Sequence, residues 1–485
     1  MLIAAPVPTI GQHSLLVFLL QIAALLLLAL VLGRLAQRFN LPAVAGELCA
    51  GVILGPSILE PLLPGFSGWL LPQKADQMHL LDAAGQLGVL LLVGVTGAEL
   101  KFALVRRRGL TAARVSIAGL LLPLGLGIGT GYLLPRSFLP SGADPAVFAL
   151  FLGVAMCVTA IPVIAKTLLD MKLLHRDIGQ LILAAGVVDD VVGWFLLSVV
   201  SAMATAGLTA GVVTTAILYP VGVVVFAFLI GRPLVGAALR AAARSESPAP
   251  TIATAVVMVL FSAAATQAMH LEAIFGAFVC GVLIGTSGQL DTEKLAPLRT
   301  TVLAFLAPLF FATAGLRMDL TALGRPVVLG AAVAVLAVAV FGKFAGAFLG
   351  ARLSRLNRWE ALALGAGMNS RGVVEVIVAM TGLRLGVLNT ETYTIIVLVA
   401  IVTSLMAPPI LRYAMSRAEE VAEAGLVLGD QHAGPARTPG AARTPDPAQT
   451  PEPVPTPDPA QTPDPAQIPG RAPGAVRVSD QRGDS

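Results

Sequence analysis

The sequence predicts an all-α membrane protein with about 13 transmembrane helices, and two observations define this class. First, 56% of the 485 residues are hydrophobic and 12% are charged, with a mean hydropathy of +0.84, whereas a soluble globular protein is about 25% charged. Second, apolar stretches of the roughly 20 residues that a helix needs to cross a bilayer follow one another through residue 418. Runs such as 15–32 are apolar on every side, which indicates helices rather than the alternating strands of a barrel.

The predicted spans are all apolar segments bounded by polar residues, prolines or glycines. They cover residues 14–33, 41–59, 82–103, 109–134, 145–169, 177–203, 208–236, 249–268, 271–287, 298–317, 326–350, 359–383 and 392–414.

The basic residues of the loops predict the orientation, because Lys and Arg near span ends stay in the cytoplasm. One alternate set of loops holds nineteen of them, and the other set holds five. We therefore expect a multi-pass protein of the inner, or cytoplasmic, cell membrane, with its N-terminus outside and its C-terminus in the cytoplasm.

Residues 419–485 differ in character from the transmembrane part, 1–418. They are rich in Pro, Ala and Thr, and the motif TPDPAQ begins at Thr444, Thr456 and Thr462. Such a segment has too little apolar surface to fold, which predicts a disordered cytoplasmic tail. A docking site for a cytoplasmic partner that binds proline motifs is the alternative. The tail contains no strand–GxGxxG–helix pattern, so a fused nucleotide-binding domain is not expected.

Two adjacent carboxyl groups lie in the middle of the sixth span, in the stretch AAGVVDDVVGW. A charged side chain at this depth costs several kcal/mol, so Asp189 and Asp190 are candidates for ion handling. Neighbouring helix positions point about 100° apart, so the two carboxyls face different surroundings. Burial favours a protonated carboxyl and a nearby ammonium favours an ionised one, so a proton and a monovalent cation can compete for the same oxygen atoms.

Lys343 lies in the middle of the eleventh span, about 17 residues from Pro326 and too deep to reach water easily. Pairing with one of the aspartates would keep it there. A lysine that faces a water-filled vestibule, without a transport role, is the alternative.

Two spans are interrupted. The fifth contains Pro162, which removes a helix hydrogen bond, with Thr159 near enough to satisfy a freed carbonyl. The twelfth gathers glycines and polar residues at mid-span: Gly365, Gly367, Asn369, Ser370, Arg371, Gly372 and Glu375. Broken helices at corresponding positions of two halves indicate a transporter binding site, and an offset of seven spans predicts inverted-topology repeats. Kinks in ordinary helices are the alternative for each break alone.

Other intramembrane charges have open roles. Arg371 and Glu375 are four residues apart and can pair along one helix face, either as a structural ion pair or in direct ion handling. Glu47 is a further charge, in the second span. Gly276 and Gly281 in GAFVCGVLIG are typical of close helix packing.

Residues 14–415 resemble the monovalent cation:proton antiporter-2 family, which includes bacterial Na⁺/H⁺ antiporters and plant cation/proton exchangers. The resemblance rests on stretches in the family's order: LPAVAGELCAGVILGPSIL, VTAIPVIAKTLLDMKLL, AAGVVDDVVGW, LEAIFGAFVCGVLIG, FLAPLFFATAGLRMDL and MNSRGVVEVIVAMTGLRLGVL. It implies a homodimer in which each subunit has a scaffold and a core, here about 109–203 and 326–414, with two crossed discontinuous helices and elevator-like alternating access.

The resemblance also implies site roles. Asp190 carries the proton and the transported Na⁺ or K⁺, Asp189 pairs with Lys343, and Thr159 matches the polar residue of the fifth-span break. The plant exchangers usually have Asn before the aspartate. Asp189 departs from that pattern and resembles the electrogenic bacterial antiporters, which implies two protons per cation.

The predicted function is exchange of Na⁺ or K⁺ for protons. One alternative is a gated potassium efflux system, which the missing nucleotide-binding domain disfavours. Another is a non-transporting sensor or assembly partner, which the costly mid-span charges disfavour. Nothing in the sequence indicates an enzyme, a cofactor or nucleic-acid binding, since it lacks a nucleophile elbow, a phosphate loop and a metal cluster.

Overall fold

The regular elements of the described residues are all helices. The structure, a computed structural model, describes residues 10–39, 41–71, 75–100, 102–174, 176–207, 209–288 and 292–432. The α-helices are α1 Gln12–Arg38, α2 Ala43–Leu54, α3 Leu59–Leu62, α4 Pro64–Leu70, α5 Ala75–Glu99, α6 Phe102–Leu133, α7 Pro145–Cys157, α8 Ile161–Asp170, α9 Asp177–Ala206, α10 Ala210–Phe226, α11 Arg232–Ala243, α12 Ala249–Ala268, α13 Ala273–Thr286, α14 Thr292–Thr301, α15 Ala307–Leu316, α16 Pro326–Leu353, α17 Arg358–Met368, α18 Val373–Arg384 and α19 Thr390–His432.

Several of these helices join or bend. Turns of π-helix at Ala227–Gly231 and Val302–Leu306 make α10 continuous with α11 and α14 continuous with α15. Short 3₁₀ helices lie at Arg136–Phe138 and Leu320–Gly324. Within α6 the chain kinks at Gly109, whose φ of 37° suits a glycine.

Ten helices among the described residues are long and apolar enough to span a membrane, and the bent pair α17–α18 makes eleven. The remaining predicted segments correspond to shorter helices: 145–169 is divided into α7 and α8, and 271–287 contains the 14-residue α13. These pieces fall below the length of about 20 residues that a full crossing needs. The count of 13 crossings therefore stays a prediction.

Helix α1 has one buried face, and its other faces are rich in exposed leucine. Its buried residues, Val17, Gln21, Leu25, Ala29 and Gly33, recur every four positions and form one stripe. Many leucines on the other faces are exposed, for example Leu27 at 67%. Because lipid tails are as apolar as leucine, these exposed leucines can face lipid, while the stripe, which includes the small residues Ala29 and Gly33, is buried against other helices.

The helices pack in two groups. In one, α6 packs on α7, α9 and α16, and α17 packs on α9 and α16. In the other, α2 packs on α1 and α15, and α13 packs on α5 and α12. Contacts of α9 with α13 and of α18 with α15 join the groups. Both interrupted spans belong to the first group.

The last helix continues beyond the predicted boundary at residue 418. Residues 1–425 form one compact unit; of the second, Leu426–Ser485, the structure describes only the end of α19 to His432. The sequence predicted disorder from residue 419, whereas AEEVAEA at 418–424 is rich in the strong helix formers Ala and Glu. The rest of the predicted tail, 433–485, lies outside the described residues.

Candidate functional site

The two interruptions touch each other. Between α7 and α8, residues 158–160 are not helical, and between α17 and α18 the gap covers residues 369–372. The amide of Ala160 donates to the carbonyl of Ser370 at 3.0 Å, and the Thr159 hydroxyl donates to the carbonyl of Met368 at 3.1 Å. Each break therefore forms hydrogen bonds with backbone groups that have no helix partner in the other break. Such bonds allow non-helical chain to exist in the middle of a membrane protein.

Pro162 has a different place from the one predicted. The sequence placed it inside a helix, where it would remove a hydrogen bond, but the structure has it in the first turn of α8. The first amides of a helix have no partner within the helix, so a proline costs nothing there. The break lies before Pro162, at residues 158–160. The Thr159 hydroxyl donates to a carbonyl of the other broken span, that of Met368, rather than to one of its own span.

The carboxylate of Asp189 is held by three donor side chains, two from other helices and one from the first break. Lys343 on α16 approaches its Oδ2 at 2.6 Å, and both side chains are 0% exposed. The Thr159 hydroxyl donates to Oδ2 at 2.8 Å, and the Ser116 hydroxyl on α6 donates to Oδ1 at 2.5 Å. An ammonium and two hydroxyls together stabilise a buried carboxylate, which would otherwise be very costly.

Asp190, the next residue, has the opposite surroundings. Its side chain is 1% exposed, and neither carboxyl oxygen has a hydrogen-bond partner among the described residues. A buried carboxylate without a partner is unfavourable, so a proton or a cation that neutralises it gains free energy. The two neighbouring carboxyls thus differ: one is held by protein donors, and one is open to an exchangeable partner.

Two cationic side chains cap the end of α7. Lys343 donates to the carbonyl of Cys157, and Arg371 donates to the carbonyls of Ala155, at 3.0 Å, and Met156. The last carbonyls of a helix lack partners within it and carry partial negative charge. The cations therefore stabilise the free end of a half-helix in the middle of the molecule.

Arg371 also joins other elements. It donates to the carbonyl of Ala339 on α16 at 3.1 Å and approaches Glu375 at 3.3 Å, which is the pairing expected from the spacing. The hydroxyl of Ser404 on α19 donates to its backbone carbonyl. Arg371 and Glu375 are 0% exposed. Arg371 thus connects α7, α16, α18 and α19 around the breaks.

Asn369 and Ser370 are buried in the second break. Neither the Asn369 amide group nor the Ser370 hydroxyl has a hydrogen-bond partner among the described residues, and the same is true of Glu375 Oε2. Of the nine residues predicted for the site, Asp189, Thr159 and Lys343 come into direct contact, as do Arg371 and Glu375.

Sequence reasoning missed Ser116. A serine among apolar residues of a span is a weak signal, because its hydroxyl can bond within its own helix. Ser116 is 0% exposed and bonds instead across 73 positions of the sequence to Asp189.

No group of three or more His, Cys, Asp or Glu side chains in the described part of the chain is placed to hold a metal ion. The carboxyl oxygens of Asp190 are hard ligands, the type that hard cations prefer.

The apolar helices identify the chain as a multi-pass membrane protein. Charged groups lie at two interruptions of these helices, and the interruptions contact each other. The family model for the transmembrane region of sodium/hydrogen exchangers matches residues 23–416. The chain belongs to this family of monovalent cation:proton antiporters, as the sequence predicted.

Two relatives are similar over most of the chain. It is 33% identical over 400 residues to Cation/H(+) antiporter 17 of Arabidopsis thaliana, covering 82% of this chain and 48% of the relative. It is 33% identical over 401 residues to the Na(+)/H(+) antiporter NhaS4 of Synechocystis sp., covering 82% and 97%. The chain therefore spans about half the length of the plant relative and nearly all of the cyanobacterial one.

A solved structure has the same fold. The sodium proton antiporter MjNhaP1 of Methanocaldococcus jannaschii matches with a TM-score of 0.62 at 16% sequence identity, covering 83% of this chain and 97% of that one.

Proposed function

We propose that the protein exchanges a monovalent cation, Na⁺ or K⁺, for protons across the cytoplasmic membrane by alternating access. The observation that carries this proposal is the difference between the adjacent carboxyls. Asp189 has three donors, and Asp190 is buried with both oxygens unpartnered among the described residues. Family membership and the similarity to antiporters along most of the chain support it.

In this proposal Asp190 binds a proton and a cation alternately. Either one neutralises the carboxyl, whereas the empty, ionised carboxyl is costly in a buried place. The binding site therefore moves across the membrane only when Asp190 carries a proton or a cation. This requirement couples the transport of protons to the transport of the cation. Thr159, Asn369 and Ser370 are buried polar residues of the two breaks.

Asp189 and Lys343 form the second part of the site. Their contact at 2.6 Å places a second exchangeable group next to the carrier in sequence, to which the proposal assigns a second proton in each cycle. This is the physical basis for two protons per cation. The crossed, inverted repeats, a core formed by 109–203 and 326–414, a homodimer and a cytoplasmic C-terminus are parts of the same proposal.

The test is exchange by purified protein in liposomes with an imposed pH gradient. Addition of Na⁺ or K⁺ to the outside should collapse the gradient for the unaltered protein. The Asp190→Asn variant should show no exchange with either ion, because an amide cannot trade a proton for a cation.

A matched control lies on the same helix. Asp177, in the first turn of α9, is exposed, so Asp177→Asn should retain exchange. Exchange retained by Asp190→Asn would reject the assignment of the carrier. Absence of exchange with both ions in the unaltered protein would reject the function.

A further inference from the structure

Helix α9 carries a row of buried polar groups beyond Asp190. Trp194 Nε1, Ser198 Oγ and Ser201 Oγ have no hydrogen-bond partner among the described residues, and these side chains are 2%, 0% and 2% exposed. The steps from Asp190 are four, four and three residues, so the groups share one helix face. They extend about 16 Å along the axis, toward the end of α9 at Ala206.

The two serines differ from several other hydroxyls in the spans. Thr130, Thr313 and Thr403 each donate to the carbonyl four residues earlier in their own helix. Thr205, one turn beyond Ser201, does the same. Ser198 and Ser201 make no such bond, so their hydroxyls remain available to another partner.

The row lies on one half of the helix only. Toward the other end of α9, the next positions on the same face, Val187 and Leu183, carry no polar side-chain atoms, and the polar residue that follows, Gln180, has an interaction partner. Trp194 packs on Phe278 of α13, with ring centroids 5.9 Å apart. The row therefore begins where the two groups of helices meet.

We propose that Asp190, Trp194, Ser198 and Ser201 line a narrow water path from the carboxyl to the Ala206 end of α9. Buried polar groups without protein partners are served by water, which needs two to four polar partners at each site. A row of such groups at one-turn intervals supplies them in succession. By the predicted orientation, the path leads to the outer surface.

This inference deepens the proposed function, on which its biological meaning rests. The path would deliver protons to Asp190 and release the dehydrated cation on that side. The indole of Trp194 is the side chain of the row with a donor but no acceptor.

The test is the reaction of introduced cysteines with Ag⁺, an ion small enough to follow a narrow path. The native Cys49, Cys157 and Cys280 are first replaced by alanine. Ser198→Cys and Ser201→Cys are then compared with Val199→Cys, which is buried, 8% exposed, and turned about 100° from Ser198 and about 160° from Ser201. Thr209→Cys, exposed just after α9, reports which side of the membrane this end faces.

Both serine variants should react about ten times faster than Val199→Cys, since access sets the rate for thiols of similar character. They should do so when Ag⁺ is added on the side that labels Thr209→Cys. A rate no faster than that of Val199→Cys for either variant, or reaction only from the opposite side, would overturn the path. The reaction is read by mass spectrometry whether or not the protein transports, so this failure is distinct from failure of the exchange function.

A second measurement needs no substitution. Hydroxyl radicals generated by X-rays in bound water oxidise nearby side chains, and Trp69, 44% exposed, provides the positive control in the same chain. Oxidation of the 2%-exposed Trp194 is expected. Protection of Trp194 while Trp69 is oxidised would contradict the path.

Discussion

At the scale of single residues, the site depends on the different surroundings of two consecutive carboxyls. Asp189 receives an ammonium and two hydroxyls, so its negative charge is compensated by the protein itself. Lys343 in turn donates to Asp189 and to the carbonyl of Cys157. Removing one member of such a buried group leaves the other charge without compensation.

We therefore expect Lys343→Gln to destabilise the protein by about 3–5 kcal/mol, as for other broken buried ion pairs. The double variant Lys343→Gln with Asp189→Asn should cost less than the sum of the two single changes, because it leaves no unpaired charge. Thermal unfolding of the detergent-solubilised variants measures both effects. Lys172→Gln, at an exposed position, is the control and should be neutral.

Strict additivity of the single changes would show that Lys343 and Asp189 do not stabilise each other. The same outcome would remove the basis for a second exchanged proton at this pair.

Residue type and depth were enough to predict that Lys343 pairs with one of the two aspartates and that Thr159 satisfies a freed carbonyl, whereas the choice of Asp189 came from the resemblance to the antiporter family. They were not enough for Ser116, nor for the contacts of Arg371 and Lys343 with the carbonyls of α7. Backbone carbonyls are present in every span, and only the folded geometry shows which of them lack helix partners.

At the scale of helices, glycines determine how closely neighbours approach. A Cβ at Gly281 on α13 would overlap the carbonyl oxygen of Gly94 on α5, and one at Gly276 would overlap that of Ser262 on α12. The close packing expected from GAFVCGVLIG is therefore present. In membranes such contacts are a main source of helix association.

Gly281→Ala should accordingly lower stability, because α13 and α5 must separate to admit the methyl group. The cost expected for overpacking a well-packed contact is about 1–3 kcal/mol. Gly222→Ala on α10, where nothing lies within 4 Å of the added Cβ, is the matched control and should be neutral or slightly stabilising. Equal unfolding temperatures for the two variants would contradict the close contact.

The interruptions were predictable from composition, but their exact form was not. Proline at 162 indicated a break, yet the unwound residues precede it, since a proline is favoured in the first turn of a helix. The extent of α13 also differs from a full span, because it begins only after Glu272. Glu272 forms an ion pair with Arg384, the last residue of α18, at 2.6 Å.

At the scale of the whole molecule, both breaks and both carboxyls belong to the helix group that contains α6, α7, α9, α16 and α17. The second group contacts it through α13 with α9 and α15 with α18, besides the ion pair of Glu272 with Arg384. Helix α10 also packs on α9 and continues into α11, which packs on α12 and α13. A binding site held within one group is suited to movement of that group against the other.

The most direct test of this account is proton release on cation binding by the detergent-solubilised protein in weakly buffered solution. Saturable release is predicted on adding Na⁺ or K⁺. The half-saturating concentration should rise at least about tenfold for each unit by which the pH falls, because the proton of Asp190 competes with the cation, and about a hundredfold where a second proton is displaced at the pair of Asp189 and Lys343. Asp190→Asn should release none. Cation binding without proton release, or equal release from Asp190→Asn, would contradict competition at Asp190.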